Sequence, residues 1–212
     1  MIKHAVTFFT AALLSLPVAA DLLVNGSFED ENVANNSWKA FSPDQVDGWD
    51  GSWIEVWDGL FGRVAADGEQ FAELNSVNKG NYSPFTLYQS VGVEAGGLYN
   101  VNFAYQARQN TEEAFTFSLL DSTGNAFFSQ DIIHNDTSTW TRFDYNFAAP
   151  DEMVTVSFSS ITTGTLGNLI DDVSLSQPND NVSTDVTWSG SAVIALLPIA
   201  FIALRRSCLL YT

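Results

Sequence analysis

The chain has 212 residues, 8 Lys and Arg against 25 Asp and Glu, a formal charge of −17 and one cysteine. So acidic a surface repels phosphate backbones, which excludes nucleic acid as a partner. A single cysteine excludes an internal disulfide framework and a multi-cysteine zinc site, while 16 Phe, 6 Tyr and 6 Trp exclude a disordered acidic chain, which would be poor in aromatics.

Residues 1–20 read as an export signal that forms a short helix. Lys3 and His4 precede an apolar run from Ala5 to Leu16, and Val18-Ala19-Ala20 before Asp21 is a small-residue cleavage site. The run is too short to cross ~30 Å of hydrocarbon.

Residues 21–176 form the working domain and read as strands. In Tyr99–Gln106 the alternation places Tyr99, Val101, Phe103 and Tyr105 on one face, with Asn102 and Gln106 on the other and Arg108 continuing that second face. Phe115, Phe117 and Leu119 alternate with Thr116 and Ser118; Phe143, Tyr145 and Phe147 with Asp144 and Asn146; Val154, Val156 and Phe158 with Thr155 and Ser157. Shorter strands are expected at Leu22–Val24, Trp53–Trp57, Gln70–Leu74, Phe85–Ser90 and Leu169–Leu175. Turn signals such as Asp47-Gly48, Asp58-Gly59, Asp67-Gly68 and Gly96-Gly97 separate them. No stretch carries a helical period. Eight or more short antiparallel strands predict an all-β, two-sheet jelly-roll sandwich.

A polar linker spans residues 177–187, and residues 188–212 form a tail. Trp188–Leu204 carries no charge and is followed by Arg205 and Arg206. About 17 residues just span a bilayer as a helix, with the arginines on the cytoplasmic side. Cys208 then lies beyond the span. Three of the eight bases sit in the two ends, so the exported part holds 5 bases against 25 acids, near −20.

Several fragments taken in order carry a family resemblance. They are Leu22-Leu23-Val24-Asn25-Gly26-Ser27-Phe28-Glu29, Gly48-Trp49, Val56-Trp57, Ala66-Asp67-Gly68-Glu69-Gln70-Phe71-Ala72-Glu73-Leu74, Leu87-Tyr88-Gln89-Ser90-Val91, Tyr105-Gln106-Ala107-Arg108, Thr139-Trp140 and Leu169-Ile170-Asp171-Asp172-Val173-Ser174-Leu175. Together they resemble the galactose-binding-like jelly rolls of CenC-type carbohydrate-binding modules, over essentially all of residues 21–176. The resemblance implies a β-sandwich, an oligosaccharide or polysaccharide ligand, and a structural calcium. Its ligands would be Glu29, Asp67 and Asp171, with carbonyls of Ser27 and Gln70. The tail resembles bacterial sorting tails of the PEP-CTERM and GlyGly-CTERM type, which implies a tether at the cell surface and a sorting protease. It lacks Pro-Glu-Pro and Gly-Gly; Trp188-Ser189-Gly190-Ser191 stands there instead.

Calcium takes six to eight hard oxygens, and acids near the two ends of a jelly roll can meet where first and last strands are neighbours. Solvated turn acids are the alternative, since Asp is common in turns. An Asp171-Asp172 pair inside a strand is different, because alternation turns one of the two inward. Sugar recognition needs flat apolar faces and planar polar side chains. Trp53, Glu55 and Trp57 share one face of a strand of period two, and a dry core there would bury a carboxylate at high cost. That face therefore reads as wet, and the expected sugar site is Trp53, Glu55, Trp57, Gln106 and Arg108. Trp49 and Trp140 read as structural.

No catalytic machinery is expected. There is no Gly-x-Ser-x-Gly elbow, and His134 lies in a polar stretch that reads as a loop. The reading is an exported, surface-tethered, non-catalytic module that binds carbohydrate with a structural calcium. The alternatives are a structural or adhesive matrix protein of the same fold with no defined sugar site and, more remotely, a small hydrolase using two of the many carboxylates.

Overall fold

Eleven strands, most of them carrying alternating apolar residues, are present in a computed structural model that describes residues 20–76, 84–109 and 112–178. The signal segment, the linker beyond Pro178 and the apolar tail lie outside the described residues. In chain order the strands are β1 (Ser37–Phe41), β2 (Asp50–Gly51), β3 (Ile54–Asp58), β4 (Gln70–Glu73), β5 (Thr86–Gly92), β6 (Leu98–Gln106), β7 (Glu113–Leu120), β8 (Ala126–His134), β9 (Thr141–Ala148), β10 (Met153–Ser160) and β11 (Leu169–Ser176). Two short 3-10 turns, Pro43–Gln45 and Leu60–Gly62, are the helical elements among the described residues.

The strands form two antiparallel sheets. One has six strands in the order β1-β3-β4-β11-β6-β9, and the other five in the order β2-β5-β10-β7-β8. From β4 onward nearly every connection crosses from one sheet to the other, the winding of a jelly roll. The expected all-β two-sheet sandwich is the fold.

Between the sheets lies an aromatic core. Phe103 of β6 stands among Phe117, Phe143 and Phe158, with ring centroids 4.8, 4.8 and 4.9 Å away, and touches Tyr105 and Phe115 further out. These residues come from strands of both sheets, and Phe103, Phe117 and Phe158 are fully buried. The alternation read in β6, β7, β9 and β10 is what brings them to one plane. Each such ring contributes about 2–3 kcal/mol by leaving water.

Two expectations fail locally, and one strand was not expected. Leu22–Val24 is not a strand; a bend replaces it, although Leu22 N–H still donates to Leu175 C=O at 2.8 Å and Val173 N–H to Gly26 C=O at 3.0 Å. Gly26 is held so close to Val173 that any Cβ would meet its carbonyl oxygen at 1.9 Å. Asn25 and Phe28 in the same turn adopt left-handed φ values of 52° and 55°, which a regular ladder cannot accommodate. His134 is not in a loop but ends β8, its ring edge-on to Tyr105 at 5.0 Å. β8 itself was obscured because its polar residues Ser129, Gln130 and Asp131 interrupt the alternation at an exposed edge of the sheet.

Candidate functional site

On the outer face of the six-stranded sheet, strand register sets a row of residues side by side. Glu55 pairs Glu73, Leu169 pairs both Glu73 and Gln106, and so the row crosses β3, β4, β11 and β6 as Glu55, Glu73, Leu169 and Gln106. The next row begins with Trp57 opposite Phe71. The segment 59–66 folds over these rows. Leu60, Ala65 and Trp140 pack on Trp57, Phe71 and Leu169 in a second apolar cluster, separate from the aromatic core.

This cover buries what the sequence led one to expect in water. Trp57 is fully buried and Glu55 is 1% exposed. Trp57 and Glu55 do share a face, but they satisfy one another there: the Trp57 indole N–H donates to Glu55 Oε1 at 3.0 Å. Trp53 stands half-buried just before β3 and does not join the residues that line the cleft described below. The wet face expected for the three residues is therefore corrected to a covered one for Glu55 and Trp57, with Trp53 half-buried outside it. The physical reason is the indole hydrogen bond and the apolar lid, which make the carboxylate tolerable under cover.

Beneath the cover the charges form a layer. The Arg108 guanidinium Nη1 lies 2.7 Å from both Glu73 oxygens and its plane rests over the Trp57 ring at 4.7 Å. Gly167 N–H donates a further bond to Glu73 at 2.9 Å. Burial pushes the Glu73 carboxyl up, to about 9; Arg108 pulls against this and the Glu55 carboxylate adds to it. The carboxylate of Glu113, 1% exposed, receives the backbone N–H groups of Arg108 and Gln109 at 2.7 and 2.8 Å. That clamp orients the chain where β6 ends.

Above this layer opens a cleft of about 620 Å³. Phe61, Val64 and Trp140 form its apolar walls, and Arg63, Gln106, Arg108 and Gln109 supply planar polar groups. Arg63 Nη1 donates to Gln106 Oε1 at 2.7 Å and Nη2 to the Arg108 carbonyl at 2.5 Å. Trp140 Nε1–H donates to the Val64 carbonyl at 2.8 Å, pinning the lid to the far wall. Phe61 is 77% exposed and left-handed, at φ 59° and ψ 26°. An exposed ring held in a costly backbone conformation is unusual for a loop with no other task.

Of the five residues expected at a sugar site, Gln106 and Arg108 line the cleft, Glu55 and Trp57 lie beneath it, and Trp53 is outside its lining. Trp140, read as structural, both packs on Phe71 and lines the cleft. Phe61 and Arg63 were missed. The signal for them was an aromatic residue between Gly59 and Gly62 and a rare base directly after Gly62.

The residues expected around calcium gather at a second place. The loop 66–70 is held from two sides by carboxylates. Asp171 Oδ2 accepts the N–H groups of Ala66 and Asp67 at 2.6 and 3.0 Å. Glu29 Oε1 accepts those of Glu69 and Gln70 at 2.8 and 2.7 Å. Ser27 donates its hydroxyl to Asp67 at 2.9 Å. Asp171 is fully buried, and burial pushes its carboxyl up to about 7 against the pull of the three amides it accepts. A Cβ on Gly68 would meet the Glu29 carboxylate at 2.3 Å, so only glycine lets the carboxylate seat. Gln70 gives both amide hydrogens to the carbonyls of Phe28 and Glu31, and its buried Oε1 has no hydrogen-bond partner among the described residues. The donor set is all oxygen, which suits calcium and not a softer metal. No three His, Cys, Asp or Glu side chains among the described residues converge tightly enough to hold a metal alone, so a cation here needs backbone carbonyls as well.

No protein-family model and no curated protein matches the chain. Among solved structures it is similar to a family 4 carbohydrate-binding module, at 20% identity and a TM-score of 0.46 over 74% of this chain and 99% of that one. A family 16 carbohydrate-binding module matches at 16% identity and 0.48, over 74% and 100% of the two chains. A family 61 module solved in complex with β-1,4-galactotriose matches at 19% identity and 0.48, over 76% and 100%.

Proposed function

We propose that the domain is a non-catalytic saccharide-binding module whose site is the cleft between the 59–66 segment and Trp140. The observation that carries this is the pairing of an exposed, strained Phe61 with planar polar side chains already held in place. Phe61 and Trp140 offer flat apolar faces to a pyranose ring. Gln106, Gln109 and Arg108 offer hydrogen bonds to hydroxyls. Trp57 and Glu55 contribute from beneath, by supporting the Arg108 guanidinium and the floor on which it rests. The non-catalytic reading is supported by the position of Glu55 and Glu73, a close carboxylate pair sealed under Arg108 and out of reach of a substrate. Export and tethering at the cell surface rest on the signal and tail sequences.

Replacing Phe61 with glycine tests the site. Released backbone strain and the lost ring contact with Trp57 nearly cancel, at ~1 kcal/mol each. The melting temperature should hardly move, while binding to a glycan array should weaken about tenfold. Unchanged binding in F61G would move the site elsewhere. Absence of glycan binding in the parent chain would favour the adhesive-matrix reading.

The same reading includes a structural calcium at the 66–70 loop, with Glu29, Asp67 and Asp171 as carboxylate ligands and the backbone carbonyls of Ser27 and Gln70 completing the set, the Gln70 side-chain oxygen being a further donor at the same place. The support is the buried Asp171 carboxyl and the unpartnered Gln70 oxygen. An ion bound only by the native state stabilises it, so chelation should lower the melting temperature by several degrees. No shift, with no metal found in the purified protein, would remove calcium from the proposal.

A further inference from the structure

The residues that line the cleft carry charge opposite to that of the molecule around it. Of the 12 described residues that line it, none is acidic, and two are arginines. Elsewhere among the described residues the only other Lys and Arg side chains are Lys39 and Arg142. Half of the described cations of a strongly acidic chain therefore meet at one opening. Chance scatter is a poor account of this, since Arg63 and Arg108 come from segments 45 residues apart and are brought together by a direct hydrogen bond.

Both guanidiniums are fixed before any ligand arrives. Arg108 is held by Glu73 from below and by the Trp57 face. Arg63 is held by Gln106 and by the Arg108 carbonyl. Among the bonds made to described residues, Arg108 commits only Nη1, which leaves its Nη2 and Nε donors unspent, and Arg63 keeps its Nε. Two like charges placed together cost energy: burial and then Arg108 pull the Arg63 guanidinium down, against the opposing pull of Glu113 and Glu73. An anion seated between them relieves that cost and finds charge-assisted donors already aimed.

We infer that the cleft takes an acidic saccharide, with the carboxylate of a uronic acid residue received by Arg63 and Arg108 while Phe61 and Trp140 flank the ring. This rests on the saccharide-binding reading and adds the ligand class to it. A neutral glycan has no charge to offer the unspent Arg108 Nη2 and Nε and Arg63 Nε donors, whereas a uronate uses them and the apolar walls together. The domain's overall negative charge repels a polyanion at long range, so attraction is confined to the cleft and short oligomers should enter as well as long ones.

Calorimetric titration of the full-length chain tests the inference. The probes are short oligomers of galacturonate, glucuronate and mannuronate, each beside its carboxyl-reduced neutral counterpart. Binding of at least one uronate oligomer, lost on carboxyl reduction, is expected. In R63Q its affinity should fall about tenfold or more, the usual effect of a lost charge-assisted contact, while the melting temperature should fall only modestly, through the lost bonds to Gln106 and the Arg108 carbonyl. R142Q removes the same charge outside the cleft and should bind as the parent does. Equal binding of acidic and reduced oligomers would overturn the acidic ligand and leave the saccharide reading standing. Binding of no oligomer, acidic or neutral, would overturn both. An equal loss in R142Q and R63Q would replace the two-arginine site with diffuse charge attraction.

Discussion

On the inner face of the six-stranded sheet, Phe103 is buried among rings contributed by both sheets. On the outer face of the same sheet, Trp57 and Phe71 are equally buried, but among Glu55, Glu73 and Arg108. The first region is dry and held by area alone. The second is held by apolar contacts that work only while each charge keeps its partner. The comparison teaches that two regions of one sheet can be equally hidden from water and differ in what hides them: a second sheet in one case, the 59–66 loop and Trp140 in the other. The loop-covered region is also the one that opens into a cleft, because a loop leaves gaps that a sheet does not.

The largest expected effect breaks the inner region. Phe103→Ala should cost about 3–5 kcal/mol, the usual cost of a core aromatic truncation, measured by chemical denaturation. A cost below ~1 kcal/mol would mean that the rings repack freely and that the core is not close-packed.

Next, the outer region should distinguish its two partners. Arg108→Ala strips the partner from a buried carboxyl and should cost about 2–3 kcal/mol, less than a fully sealed pair because Arg108 is partly exposed. Glu73→Gln keeps a hydrogen-bonding group of the same shape and should cost under ~1 kcal/mol. Equal costs would contradict the layered account of the charges.

A smaller and more graded effect is the pH dependence. The Glu73 carboxyl is raised from 4.5 to about 9 by burial. Between those values the native state retains a proton that the unfolded chain has released, so this group's contribution falls as pH rises through that window and is gone above it. Its slope should not exceed ~1.4 kcal/mol per pH unit. Glu73→Gln should flatten the stability profile between pH 5 and 9, read as the difference in denaturation midpoint from the parent. The titrating group that touches Phe103 is Tyr105, whose hydroxyl burial raises above its ordinary value of 10.0, outside this window, so Phe103→Ala should shift the profile without changing its slope between pH 5 and 9.

Much of the fold was legible because a period of two is a local property. Val101, Phe103 and Tyr105 announce an inner face whatever lies opposite them. The segment at Leu22–Val24 misled for the same reason: its composition is that of a strand, but the close approach of Gly26 to Val173 and the left-handed Asn25 and Phe28 turn the chain away. The site was half legible. The alternation that put Gln106 and Arg108 on the outer face was read correctly, and so was the shared face of Glu55 and Trp57. What no local pattern contains is that residues 59–66 fold back over β3 and β4. That contact places Arg63 on Gln106, 43 positions away, and converts an expected wet face into a covered layer.

The sequence by itself determined an all-β sandwich, the acidic character of the module and the faces on which its side chains stand, since these depend on residue types and short-range periodicity. Tertiary structure alone decided which charges are paired, which aromatic remains in water and where the cations collect. Burial and electrostatic partnership are set by distances between segments far apart in the chain, and the closure of one loop changed the meaning of both Glu55 and Arg63.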